Sequence, residues 1–160
     1  MSIKRYDNGD YFEFATKITA AKEKSSGNYP ICLGLAYPEH TVRRFAERGG
    51  TYSTNIFMST LKFIFSGYSN LINTLLDAHQ ESEETKKDVV VRFYDGKVYV
   101  LQNAGFVDYI EAFDVVTYYN EKFAGHRFHT NENDIVFFVY KDGRVVRENA
   151  NRQKANCRRK

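Results

Sequence analysis

Apolar residues recur at a helical period through the middle of the chain. Phe57, Leu61, Ile64, Tyr68, Leu71 and Leu75 follow one another at spacings of 4-3-4-3-4, and Met58, Phe65, Ile72 and Leu76 widen the stripe. Such spacing gathers side chains on one helical face. It predicts a long central core helix, capped at its start by Ser53 or Thr54 and kinked at Gly67. A dimerisation seam is the alternative use of that stripe. Two shorter helices are expected before it. Ala15 to Lys24 (ATKITAAKEK) holds good helix formers and ends at Ser25-Ser26-Gly27. Pro38 to Arg48 opens with proline in a first-turn position and closes at Gly49-Gly50.

β-Prone runs flank three turn dipeptides that end in glycine. Asn8-Gly9 lies between Ile3–Tyr6 and Tyr11–Phe14. Asp95-Gly96 lies between Val89–Tyr94 and Lys97–Leu101, and Asp142-Gly143 between Ile135–Tyr140 and Arg144–Val146. Asn or Asp followed by Gly suits the positive φ angles of a type I′ turn, so three hairpins are expected. Phe106 to Phe123 has apolar residues at 106, 110, 113 and 116 and is assigned as helix, although Val115 to Tyr119 leans toward strand. The polar stretch Gln80 to Lys87 is the one linker candidate. The expected architecture is α+β, with β-hairpins packed around a long central helix. Residues 1–80 form an N-terminal half with a hairpin and three helices, residues 88–146 a hairpin-rich half on the same core, and residues 147–160 a basic tail.

Composition narrows the class. At 160 residues with 42% hydrophobic content, 13 Phe and 12 Tyr, the chain can fill a core and is not of disordered type. Cys32 and Cys157 are too few for a disulfide framework, and the start MSIKRYDNGD has no apolar signal region. A cytoplasmic chain with reduced thiols follows as the expectation. Ile56 to Ile72 is interrupted by Ser59, Lys62, Ser66, Gly67 and Asn70, so no membrane span and no membrane partner is expected. Abundant Tyr, Phe, Asn, Lys and Ile suit an AT-rich genome, as in many phages and mobile elements.

Charge changes the picture most. Residues 144–160 carry Arg144, Arg147, Arg152, Lys154, Arg158, Arg159 and Lys160 against the single acid Glu148, a net +6, whereas the whole chain is +3. Residues 1–143 therefore sum to −3. A basic arm on a slightly acidic body points to a polyanion, DNA first and RNA second. On the second expected helix, Glu39–Arg43 and Arg43–Glu47 are i,i+4 pairs, while Arg44 and Arg48 form an unpaired basic ridge. The candidate nucleic-acid contacts are thus Arg43, Arg44 and Arg48 in the body with the seven cations of the arm. A homodimer is a further expectation, because regulators often read paired half-sites.

The segment Tyr6–Ile18, YDNGDYFEFATKI, resembles the opening of the KilA-N family of phage and viral DNA-binding domains. Those domains enter through a short glycine-containing hairpin with an aromatic, here Gly9 and Tyr11, and begin a helix near an Ala-Thr-Lys-aliphatic motif, here Ala15 to Ile18. The family commonly has Asn before Ala-Thr-Lys, where this chain has Phe14, and a downstream Trp, which this chain lacks altogether. The resemblance covers thirteen residues and implies DNA binding by a small α+β domain.

No pattern points to catalysis. His126 and His129 sit three apart without a third ligand at metal-site spacing. Asp88, Asp95, Lys97, Glu121 and Lys122 would be the raw material of a metal-dependent nuclease, but turn and strand-face roles account for them. Cys32, among apolar neighbours, reads as a buried small side chain. No phosphate-binding glycine loop is present. The expected function is non-enzymatic DNA binding, by a small regulator or repressor from a phage or mobile element, with no cofactor, metal or catalytic residue. The rival is a protein-binding inhibitor, such as a phage anti-defence protein, whose interface lies on the acidic body.

Overall fold

A computed structural model describes residues 4–7, 10–23, 30–107, 110–122 and 134–148. Along these residues the order is β1 (Lys4–Asp7), β2 (Asp10–Glu23), β3 (Pro30–Tyr37), α1 (Glu39–Glu47), α2 (Thr54–Ser66), α3 (Ser69–Thr85), β4 (Val89–Phe93), β5 (Lys97–Val107), β6 (Ile110–Asn120), β7 (Ile135–Val139) and β8 (Val145–Glu148). The strands form one eight-stranded mixed sheet in the order β1-β2-β3-β6-β5-β4-β7-β8. The β3–β6 and β4–β7 pairs are parallel and the others antiparallel. The fold is α+β, and the two sequence halves share a sheet because β3 pairs with β6.

Alternation within the strands selects the core face. Leu33, Leu35, Val89, Val91, Tyr99, Leu101, Phe113, Val115, Ile135 and Phe137 turn toward the helices and join Phe57, Leu61, Phe65, Leu71, Leu75 and Leu76 in one cluster. Val90, Val98, Val100 and Val136 form a smaller buried cluster, as expected of residues that alternate with the core set. Edge-on rings run through the main core: Tyr37–Phe57 at 5.0 Å, Phe45–Tyr118 at 5.1 Å and Phe65–Tyr99 at 5.4 Å.

Four expectations need correction. The long helix is two helices, α2 and α3, parted at Gly67 and Tyr68. Ser53 caps α2 as expected, its hydroxyl accepting from Ile56 N. The stripe's apolar residues still enter the core, so the break redirects the chain without losing the buried face. Ala15–Lys24 is not helix: it lies largely in β2, where residues Phe14 to Thr19 pair with Ala36 to Cys32 of β3. Pairing with an apolar strand outweighs the high helix propensity of the Ala and Lys residues, which is worth only a fraction of a kcal/mol per residue. The helix start implied by the KilA-N resemblance at Ala15 falls in this strand. Phe106–Phe123 contains β6, held by β3 on one side and β5 on the other. Its β-branched and aromatic run suits that central position. The polar stretch from Gln80 is the end of α3, which runs to Thr85, with Thr85 Oγ1 donating to Glu81 O at 2.7 Å.

All three hairpins pair as expected, although Asn8 and Gly9 lie outside the described residues. The other two turns differ in type. Gly96 and Gly143 have φ of +94° and +93°, but Asp95 and Asp142 do not have positive φ. Each Asp instead accepts from the backbone N–H two residues on, at Lys97 (3.2 Å) and Arg144 (3.0 Å). A single left-handed glycine after such a turn does the work expected of a type I′ pair.

Candidate functional site

The body cations come from two places. α1, which packs on β6, carries Arg43 and Arg44, and Arg48 caps its C-terminal end. The β7–β8 hairpin carries Arg144 and Arg147. Between β6 and β8 lie β5, β4 and β7, so the two groups stand roughly 20 Å apart by strand spacing. The structure does not gather them into one array. Arg152, Lys154, Arg158, Arg159 and Lys160 lie outside the described residues.

Each described candidate is engaged locally. Arg43 pairs with Glu39 at 3.0 Å and Arg44 with Glu47 at 2.9 Å, so the ridge expected to be unpaired is half neutralised. The Tyr52 hydroxyl also donates to Glu39, and together with Arg43 it holds that carboxyl below its ordinary range. Arg144 meets Asp142 at 2.9 Å and covers the Tyr140 ring at 4.4 Å. Arg147 makes two 2.7 Å bonds to Glu81 of α3. That fork lowers the Glu81 pKa and raises that of Arg147.

Arg48 does something different. β3 pairs with β6 only from Cys32↔Ile110 to Ala36↔Asp114, and β6 continues to Asn120. α1 packs on β6, where Thr41 Oγ1 donates to Val115 O at 2.6 Å and the Arg48 guanidinium donates to Tyr118 O. Arg48 also lies 4.4 Å from the centre of the Tyr119 ring. This cation caps backbone and stacks on an aromatic, a structural use.

Arg92, which the sequence did not single out, bridges Glu121 at 2.9 Å and Glu148 at 3.2 Å with only 17% of its side chain exposed. It ties the end of β8, where the basic tail departs, to the middle of the sheet. A second polar knot joins α3 to β5 and β6. His79 Nε2 lies 3.1 Å from both Gly105 O and Ala112 O, so that nitrogen carries the proton, since carbonyls only accept. Asn103 Nδ2 donates to His79 O at 3.0 Å and Ser82 Oγ at 2.9 Å. Nearby in the core, burial raises the phenol of Tyr99 far above its ordinary range and that of Tyr118 to about 12.

The residues considered for nuclease chemistry do not converge. Asp95 and Lys97 pair with each other at 3.5 Å in their turn, and Glu121 is held by Arg92. Asp88 stands at the opposite end of β4, roughly 20 Å away by strand rise. Burial and the neighbouring Asp134 raise its pKa. Among the described residues there is no group of three or more His, Cys, Asp or Glu placed to hold a metal; His126 and His129 lie outside them. No described helix is long and apolar enough to cross a membrane.

A surface that the sequence reading missed lies between α2 and the β4–β5 turn. It is a groove of about 1030 Å³ lined by Ile56, Thr60, Phe63, Ile64, Tyr94 and Lys97, among others. Phe63 is 82% exposed and Ile56 47%. The available signal was position: Phe63 falls outside the core stripe of its own helix. Comparison of the chain with family models, curated proteins and solved structures finds no match.

Proposed function

We propose that the chain is a non-enzymatic DNA-binding protein, a small regulator or repressor of the type found in phages and mobile elements, with RNA as the alternative polyanion. The partition of charge carries this reading. Residues 149–160 hold five cations and no acid, and against a total of +3 the remaining residues sum to −2. A polyanion is drawn to one end of the molecule. The cations of the body add little to that attraction, Arg144 included: 64% of its side chain is exposed, but it pairs with Asp142 at 2.9 Å. Arg43 and Arg44 contribute less, because each brings its own carboxylate, and Arg48 serves the sheet. The reading stands on charge and does not use the KilA-N resemblance.

A protein-binding inhibitor is the second reading, and the exposure of Phe63 is the observation that favours it. The deciding experiment is duplex and single-strand binding by anisotropy across salt concentrations, with the full chain and with a chain ending at residue 148. Five arm cations on B-DNA phosphates give a log K against log salt slope of about −4.5. Truncation removes that slope and weakens every sequence alike. A full chain that ignores all duplexes and single strands at low salt refutes the proposal.

A further inference from the structure

On the DNA-binding proposal, we infer that Glu81 withholds Arg147 from the polyanion, a carboxylate held where a phosphate would otherwise bind. Strand alternation places the pair. In β8, Arg147 stands opposite Phe137 of the main core cluster and Glu148 opposite Val136 of the smaller one. The two side chains therefore leave the strand on opposite faces. Arg147 turns toward α3 and meets Glu81 there. Glu148 turns the other way and meets Arg92.

The contact has the form of phosphate recognition. Arg147 Nη1 and Nη2 donate to the two Glu81 carboxylate oxygens at 2.7 Å each, the same fork that arginine offers to two phosphate oxygens. The edge that holds Glu81 cannot hold a phosphate at the same time. Exposure makes the contact exchangeable. Arg147 and Glu81 keep 52% and 35% of their side chains in solvent, whereas Arg92 and Glu148 keep 17% and 20%. An exposed pair contributes little to folding, so β8 rests on its ladder and on Arg92 rather than on Glu81.

Closeness in sequence does not explain the pair. Arg43, Arg44 and Arg144 meet acids within four residues of themselves. Arg147 and Glu81 lie 66 residues apart, and only the packing of β8 beside α3 joins them. The end of α3 holds Glu81, Glu83 and Glu84 and no base, so it repels a polyanion as well as occupying the arginine. Arg147 keeps the Glu81 carboxyl below its ordinary range, and the competitor is therefore charged at neutral pH. Residues 149–160, with five cations and no acid, begin two residues beyond Arg147. A phosphate chain drawn to those five finds the neighbouring cation already taken.

Anisotropy titration of a labelled DNA duplex with the full chain, across a salt series, tests the inference. Freeing one more phosphate contact steepens the log K against log salt slope by about 0.9, which is about 8-fold tighter binding at about 0.1 M salt. Glu81→Gln should show both changes while melting within about 4 °C of the wild type, as loss of an exposed pair allows. Adding Arg147→Gln to Glu81→Gln restores the wild-type net charge and should return affinity and slope to wild-type values. Glu84→Gln removes the same charge from the same helix, from a carboxyl that accepts from Gln80, and should gain less than about 2-fold as a screened surface charge. If Glu81→Gln binds DNA only as the wild type does, the inference fails while the DNA-binding proposal stands. An equal gain from Glu84→Gln overturns it too, because bulk charge and not the fork is then responsible. So does a gain that survives the added Arg147→Gln. If neither the wild type nor Glu81→Gln binds any nucleic acid at low salt, the proposal and the inference fail together.

Discussion

Replacing Thr41 by Val tests how α1 is fixed to the sheet. The side chain is fully buried, and its hydroxyl donates to Val115 O at 2.6 Å. Val115 comes one residue after the last β3–β6 pair, and the β5–β6 register shifts immediately beyond it. Valine preserves the shape and removes the donor, leaving the carbonyl without that partner in a dry site. The expected loss is about 1–3 kcal/mol. For a chain of this size each kcal/mol moves Tm by about 2–4 °C, so the fall is about 2–12 °C. Urea unfolding should show a lower midpoint at unchanged m, because no extra surface is exposed in either state.

Thr41→Ser makes the experiment decisive. It keeps the hydroxyl and deletes a buried methyl, at a cost of about 0.8 kcal/mol for the lost burial. If the hydrogen bond holds α1, serine is the more stable variant and valine the less stable. The reverse order, with Thr41→Val within about 0.5 kcal/mol of wild type, would show that packing alone positions the helix and that the cap is idle.

Arg48→Gln should destabilise the fold by about 1–3 kcal/mol in urea, through loss of the charged bond to Tyr118 O, whereas Arg43→Gln should stay within about 0.5 kcal/mol. The Glu81 carboxyl is held low by Arg147, so its stabilisation is present above about pH 4.5 and is lost as pH falls through the lowered pKa. Glu81→Gln should flatten that acid limb by less than about 1 kcal/mol, because the pair is partly solvated, with side chains 52% and 35% exposed. Asp88 has the opposite sign: burial and then Asp134 raise its pKa above 3.8. Its stabilisation is full below that value and lost as pH rises through the raised pKa, and Asp88→Asn should remove this decline in a pH series of urea midpoints.

Features closed by neighbours in sequence were legible, and features closed by distant partners were not. The Asp-Gly turns announce themselves because the aspartate bonds a backbone N–H two residues away. The end of α1 is equally local: Gly49 takes φ +97°, and a Cβ on Gly50 would meet the Phe45 ring at 2.3 Å. β2 and β6 failed as sequence readings because each needs β3. Leu33 lies between Ile18 and Glu111, a contact that no local window contains. The apolar stripe identified its buried side and marked Gly67 as a kink, but not the complete break that parts α2 from α3 there. Phe63 escaped because a reading tuned to one apolar face passes over a second. The charge of the tail was legible from composition alone, whereas the fate of the body cations depended on Glu81 and Tyr118, from other elements.

Under the DNA-binding proposal, those pairings would separate affinity from selectivity. A phosphate that approaches Arg43 meets Glu39 almost as closely, since the two groups are 3.0 Å apart. Beyond a Debye length of about 8 Å such a pair has little net field. The cations of residues 149–160 have no acid in their own segment, so on that proposal long-range attraction would fall to the tail, and phosphate contacts alone read no sequence. Arg92 gives that tail a fixed root by holding Glu148 in a contact where both side chains are four-fifths or more shielded, at 17% and 20% exposure.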